Sequence, residues 1–341
     1  MKFRVFAAFV APSLLLMLLF IAAPLVSVLW QSFHVTQVEF ETVETEVCTP
    51  GFITQTCQTE TRTRPVLDED GKMVSTTSFV GLGSYRKLLE PDRFVRALGD
   101  LNWRGVMVID FWKALRFTLA FTLFTLPLVV GMGLLIALAV NSAAKSIRGQ
   151  IIFVSLLPFI ITPVIGAISI RWLFVGDGIL TALLEWILET DIAVLANPWS
   201  LEFLMMFYRV WHVAPFAFVV FYAGLQTVNN DAIESAVIDG ASRFERLRYV
   251  VIPHIMPLIV FVALIHLMDA YRAFEEIIGF SSQAHLISLQ WLTYDLLTPD
   301  DSGNRAISRA SASAMLTMIG IVVILVPLLG KTWRDHKAGS I

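Results

Sequence analysis

Six stretches of this chain run for about twenty apolar residues or more: 8–30, 117–140, 151–174, 201–225, 255–274 and 310–329. A bilayer core of ~30 Å is crossed by about 20 helical residues, and lipid offers no partner for backbone N–H and C=O groups. Each stretch is therefore predicted to be a transmembrane helix, and the chain an all-α membrane protein with six transmembrane helices. Composition agrees: 56% of the 341 residues are hydrophobic and 16% charged, against about 45–50% and about 25% in soluble domains. A net charge of −3 gives no reason to expect a nucleic-acid partner. Lys2 and Arg4 precede the first stretch as they would in a signal peptide. That stretch is far longer than the ~7–15-residue core of a cleaved signal, so it reads as an uncleaved span. Pro158, Pro163 and Pro215 are predicted to interrupt spans three and four, beside a cavity where freed carbonyls find new partners.

Charge in the short loops sets the orientation. Lys2 and Arg4, then Lys145 and Arg148, then Arg243, Arg246 and Arg248, then Lys331, Arg334 and Lys337 all fall on one side. The short loop 176–200 on the other side carries Asp177, Glu185, Glu189 and Asp191 and no Lys or Arg. Both termini are expected in the cytoplasm. The organisation that follows is an N-terminus with its first span (1–30), an outer insertion (31–113), a core (114–330) and a cytoplasmic tail (331–341).

The insertion has two characters. Residues 38–79, rich in Thr, Val and Glu with turns at Pro50-Gly51 and Asp70-Gly71, read as short strands and hairpins. Residues 83–98 read as a charged amphipathic helix along the outer surface. Cys48 and Cys57, the only cysteines, flank the first turn. In an oxidising compartment they could close a small disulfide hairpin; the alternative is two unpaired surface thiols.

Between spans four and five lies a polar loop, 226–253. Asp231 followed by Glu234 fits a capping box, with a helix to Ile238 or Asp239 and Gly240 ending it in a left-handed conformation. Residues 242–249 form a second short helix carrying Arg243, Arg246 and Arg248, and Pro253 opens the fifth span. The result is a small helix–turn–helix across the membrane face that exposes Ile233, Ala236 and Val237.

Here the residues resemble a family. Glu234-Ser235-Ala236, three residues, Gly240, nine residues, then Val250-Val251-Ile252-Pro253 is similar in spacing to the EAA loop of ABC-importer permeases. Ser235 replaces an Ala, Val250 an Ile and Ile252 a Leu. Gly81-Leu82-Gly83-Ser84-Tyr85, Trp172-Leu173-Phe174 and Val210–Phe216 resemble the carbohydrate-uptake branch, of the maltose or glycerol-phosphate type. The similarity covers roughly 79–329 and the first span, and leaves out 38–78.

The resemblance implies a type I importer permease fold, a periplasmic position for the insertion, and the inner membrane of a bacterium. It implies that Glu234, Ser235, Ala236, Asp239 and Gly240 couple the chain to a separate ATPase. The expected partners are a homologous second permease, two ATPase subunits that bind ATP and Mg, a periplasmic solute-binding protein, and the lipid bilayer. The chain would be the larger permease of a heterodimer, a translocation subunit and not an enzyme. No phosphate-binding loop is present: Gly330-Lys331-Thr332 ends span six, but Leu325 stands where its first Gly belongs.

Ionisable residues inside spans are costly and face a bundle interior or cavity. Span five offers His266, Asp269, Arg272, Glu275 and Glu276, with Asp269, Arg272 and Glu276 on one helical flank. Arg272 either pairs with the two carboxylates or contacts solute with them. Span four adds Arg209, Trp211 and His212 as pathway candidates; Arg209 binds solute or pairs with a carboxylate on the partner subunit. No metal site is expected. A self-powered secondary transporter or channel is the alternative, but no internal repeat links the two halves. An intramembrane enzyme would need a nucleophile or metal motif that is absent from the sequence.

Overall fold

The apolar stretches keep most of their prolines inside continuous helices and break at Pro163. The computed structural model describes residues 3–50, 55–68, 74–176, 178–191, 193–300 and 304–338. Among them, five helices are long and apolar enough to cross a membrane: Ala8–Phe33, Asp110–Ser142, Pro198–Leu225, Arg243–Ala270 and Ile307–Pro327. The sixth span is a pair, Lys145–Ile160 and Pro163–Trp172, bent by 92°. The bend falls at Ile161 and Thr162, both extended (ψ 133° and 139°), because a residue ahead of proline is driven out of the helical region. Pro158 and Pro215 do not interrupt their spans as expected; both lie inside continuous helices. A single proline forfeits one ladder bond, and in lipid the remaining bonds have no water competing for them.

Two spans carry a wider, π-helical turn just before a proline: Leu18–Ala22 ahead of Pro24, and Leu247–Val251 ahead of Pro253. The extra residue in the turn accommodates the missing N–H without a kink. Consequently the short helix Arg243–Arg246 is continuous with span five, and Pro253 does not open a separate helix. At its far end span five stops at Ala270, short of the predicted Phe274, and a separate helix Glu275–Gly279 follows.

The chain divides into two compact units: Met1–Pro91 with Thr293–Met315, and Asp92–Leu292 with Leu316–Ile341. In the first, β1 (His34–Val38) pairs antiparallel with β4 (Ser75–Phe79). Between them β2 (Phe40–Pro50) and β3 (Gln55–Pro65) form an eleven-residue ribbon, longer than the short strands expected. Its register sets Cys48 opposite Cys57; their side chains, Gly51 and the Asp70-Gly71 turn lie outside the described residues. The helix expected over 83–98 is two, Gly83–Leu89 and Pro91–Gly99, separated by left-handed Glu90. Tyr85 donates to Ser32 Oγ (2.9 Å) and ties the first of these to the end of span one. The 176–200 loop holds an apolar helix, Ile179–Leu188, which its acidic composition did not announce. The last helix runs to Ala338, and residues 339–341 of the tail lie outside the description.

In the second unit, spans two and four approach closely at Gly133. A Cβ there would lie 2.5 Å from Ala217 Cβ and 3.0 Å from the Phe218 amide nitrogen. These are rigid neighbours, so Gly133→Ala forces the two spans apart. We expect a loss of about 1–3 kcal/mol, the usual cost of overpacking, read as a lowered midpoint of thermal unfolding in lipid. Around this contact Val129, Ala137, Phe218, Phe221 and Val262 form one buried cluster; Phe117, Phe121, Met205, Tyr208 and Ile277 form another.

Candidate functional site

The 226–253 loop is built from two capped turns. Asn229 caps the first helix, Asn230–Ile238, by accepting from the Asp231 amide at 2.9 Å. The expected cap, Asp231, sits in the first turn instead; Asn229 reaches the free N–H groups first. Glu234 is therefore released from the predicted capping box. It is exposed and makes no hydrogen bond or ion pair among the described residues. The helix ends in a Schellman motif: the Ala241 amide donates to the Ala236 carbonyl (2.9 Å) and the Gly240 amide to that of Val237 (3.1 Å). Gly240 sits at the left-handed position, φ +80°, that glycine adopts without penalty.

Ser242 then opens the second helix with a full capping box. Its hydroxyl accepts from the Glu245 amide (3.2 Å), while its own amide donates to Glu245 Oε2 (2.7 Å). Hydrogen bonding to the carboxyl from the Ser242 side chain, and from the Ser242 amide, holds Glu245 below its ordinary value. A depressed folded-state pKa contributes stability above the unfolded value, and that contribution is lost as pH falls through the folded one. Protection of the 243–246 amides, with exchange corrected for its intrinsic slowing at lower pH, is expected to fall on acidification through the carboxylate range. Glu245→Gln, which keeps the bond but does not titrate, should flatten that dependence.

Glu234, Ser235, Asp239 and Gly240 are all exposed, and Ala236 is half-buried. Beside them Val237, Ile238 and Phe244 are also uncovered, at 50%, 85% and 67%. Phe244 went unnoticed in the sequence, although an aromatic between two arginines in a polar loop is a readable signal.

The second cluster lies where span five ends. Arg209, 3% exposed, donates from Nη1 to Glu276 Oε1 at 2.7 Å and from Nη2 to Asp269 Oδ2. Glu276 is fully buried; the Asp269 side chain is 56% exposed. The break after Ala270 swings Glu276 off the flank it would share with Asp269 and Arg272, and turns it toward span four. Arg272 stays outside: it is exposed, with Nε donating to the Met268 carbonyl. The sequence-based pairing of Arg272 with both carboxylates is thus replaced by Arg209.

His266 is buried beside this cluster and shares a 3.0 Å hydrogen bond with Thr125, whose hydroxyl also reaches the Phe121 carbonyl. His212 and Tyr208 serve the broken third span. His212 Nε2 lies 2.9 Å from the Ile161 carbonyl, and the Tyr208 hydroxyl donates to that of Pro163 at 2.6 Å. Span four therefore takes up the Ile161 carbonyl at the break and makes a second contact to the carbonyl of Pro163, the first residue of the helix that follows. Trp211, 38% exposed, lines an apolar cavity of about 550 Å³ with Met206, Phe207 and Pro215. The sequence reading missed Tyr208, Thr125 and the Arg116–Glu202 ion pair (2.9 Å). Thr118, Thr122 and Thr125, all buried at helical spacing, were the available signal in span two.

The family described as binding-protein-dependent transport system inner membrane component matches residues 110–336. The trehalose/maltose transport system permease protein MalF of Thermococcus litoralis is 26% identical over 278 residues, 79% of this chain and 85% of that one. The sn-glycerol-3-phosphate transport system permease protein UgpA of Shigella dysenteriae is 27% identical over 259 residues, 74% and 79% of the two chains. The trehalose transport system permease protein SugA of Mycobacterium tuberculosis is 31% identical over 204 residues, 59% of each. Among solved structures, a crystal structure of a bacterial ABC transporter that imports the acidic polysaccharide alginate superposes with a TM-score of 0.66. It covers 97% of this chain and 96% of its own, at 18% identity.

Proposed function

The chain belongs to the binding-protein-dependent transport system inner membrane component family, and from that premise we propose how its parts divide the work of import. It is the transmembrane permease subunit of an ATP-driven importer. The 226–253 loop docks on a separate ATPase, through Glu234, Ser235, Asp239, Gly240 and the uncovered Val237, Ile238 and Phe244. ATP and Mg are bound there and not in this chain. The termini are cytoplasmic and the membrane is the bacterial inner one. A homologous second permease completes the pathway, two ATPases power it, and a periplasmic protein delivers the solute.

The observation that carries this reading is the unbroken helix from Arg243 to Ala270. A push on the loop is transmitted along one rod to Asp269, where the rod meets Arg209 of span four. Rocking of that junction is how closure of the ATPases favours one accessible state over the other. Reconstituted complex should take up solute with ATP on the loop side and all ion gradients collapsed by ionophores. Uptake that follows an ion gradient and ignores ATP would favour the self-powered transporter.

The solute is sugar-like, and the charges favour a neutral one. Arg209 with Asp269 and Glu276 sums to one negative charge, and the half-exposed Asp269 carboxylate is an acceptor for hydroxyl groups. An anionic sugar would meet like charge there. Comparing neutral and anionic sugars as stimulants of ATPase turnover tests the point. We also propose that Cys48 and Cys57, opposed in the ribbon, are bonded. The purified chain should resist alkylation until reduced, and then gain two labels.

A further inference from the structure

We infer that residues 91–108 form an anchor embedded in the surface of the leaflet opposite the 226–253 loop, the outer one in the proposed orientation. A ring contact holds the helix Pro91–Gly99 against the start of span two. The Phe94 ring stacks on Trp112 (4.0 Å between centroids, 17° between planes), two residues inside the helix of span two. At about 100° per residue, Phe94 and Ala97 point one way, Val95 and Leu98 lie on the adjoining flank, and Asp92, Arg93 and Arg96 lie opposite. The protein covers Ala97 and part of Phe94, but leaves Val95 and Leu98 64% and 51% exposed. The apolar arc is thus wider than anything this chain packs against it.

The turn that follows extends the same surface. The helix ends in a Schellman motif, with the Asn102 amide on the Ala97 carbonyl (2.8 Å) and the Leu101 amide on that of Leu98 (3.1 Å). Leu101 occupies the left-handed position, φ +49°, where glycine is usual. Its side chain is 92% exposed, followed by Trp103 and Val108, each 60% exposed. In water this segment would combine backbone strain with an uncovered leucine and tryptophan. At a headgroup boundary the same arrangement is favourable: Val95, Leu98 and Leu101 enter the acyl edge, Trp103 sits at the depth preferred by indole rings, and Arg96 and Arg104 face phosphates. Span two, starting at Asp110, carries the lipid-facing surface onward through Leu123, Phe124 and Leu128, each more than half exposed.

The bilayer is thus the occupant of this face, ahead of a protein partner. The experiment uses the assembled complex in nanodiscs, with Cys48→Ser and Cys57→Ser as background. Spin labels are placed singly through Leu98→Cys, Leu101→Cys, Arg96→Cys and Asp100→Cys. Labels at 98 and 101 should be reached several-fold better by oxygen than by a water-soluble nickel chelate, with the preference reversed at 96 and 100. Preference for nickel at 101, or shielding from both reagents, overturns the inference; the second outcome would indicate a protein cover. A measurement without labels supports it: brominated lipids should quench native complex more than Trp103→Phe, and equal quenching contradicts it. Neither readout depends on ATP turnover, so the anchor can fail while the importer reading stands.

Discussion

Replacing Gly240 by arginine is expected to abolish solute-stimulated ATP turnover in the assembled importer, with the spans folded and the binding protein still holding its solute. Two separable effects act at this position. The backbone sits at φ +80°, and an L-residue there costs about 1–2 kcal/mol. A Cβ would meet nothing within 4 Å, so no internal clash contributes. Gly240→Ala therefore isolates the backbone effect and should slow turnover only modestly. Gly240→Arg adds bulk and charge to the docking face itself. Glu234→Lys provides an independent check: its carboxylate is exposed and has no partner among the described residues, so reversing the charge leaves the fold intact and still uncouples. Normal stimulation in both variants, with ATPase bound, would show that the loop is not the coupling element.

The largest loss of stability is expected from Arg209→Ala. The contact with Asp269 is half-solvated, and pairs of that kind contribute about 0–1 kcal/mol. The contact with Glu276 differs: both side chains are at most 4% exposed, and removing the arginine strands a carboxylate with no water to receive it. Breaking such a pair from one side costs about 3–5 kcal/mol. The double variant Arg209→Met with Glu276→Leu removes both charges and should recover most of that loss. It should not recover transport if Arg209 and Asp269 also meet the solute. Chemical unfolding of the chain in mixed micelles, compared across the single and double variants, measures the coupling. Additive effects would mean that the two residues do not form a pair in the folded protein.

The spans were legible because lipid leaves helical sequence one option, and twenty apolar residues are hard to mistake. Their breaks were not. Pro158, Pro163 and Pro215 give the same local signal. What distinguishes Pro163 is that Tyr208, 45 residues on, bonds its carbonyl, and His212, 51 residues beyond Ile161, takes up the carbonyl at the break. The same limit applied to the buried charges. Arg209 and its carboxylates were each identified as costly, but the pairing spans 60 and 67 residues and required the chain to turn after Ala270. Arg272 looked the better partner because a continuous helix would have put it there. In the loop the spacing placed Gly240 at a turn that the Schellman bonds now account for. It misassigned the cap because Asn229 and Asp231 are both good caps two residues apart, and only geometry decides between them.

The central claim is that movement of a partner ATPase enters this chain through the 226–253 loop. The most direct measurement places a photo-crosslinking amino acid at Val237, and separately at Ile238, in the intact complex in native membranes. Both side chains are uncovered and neither is needed to hold the loop together. The account predicts a covalent product with the ATPase subunit at both positions, changing in yield when ATP is bound. Crosslinks to lipid alone, or products unchanged by nucleotide, would contradict it.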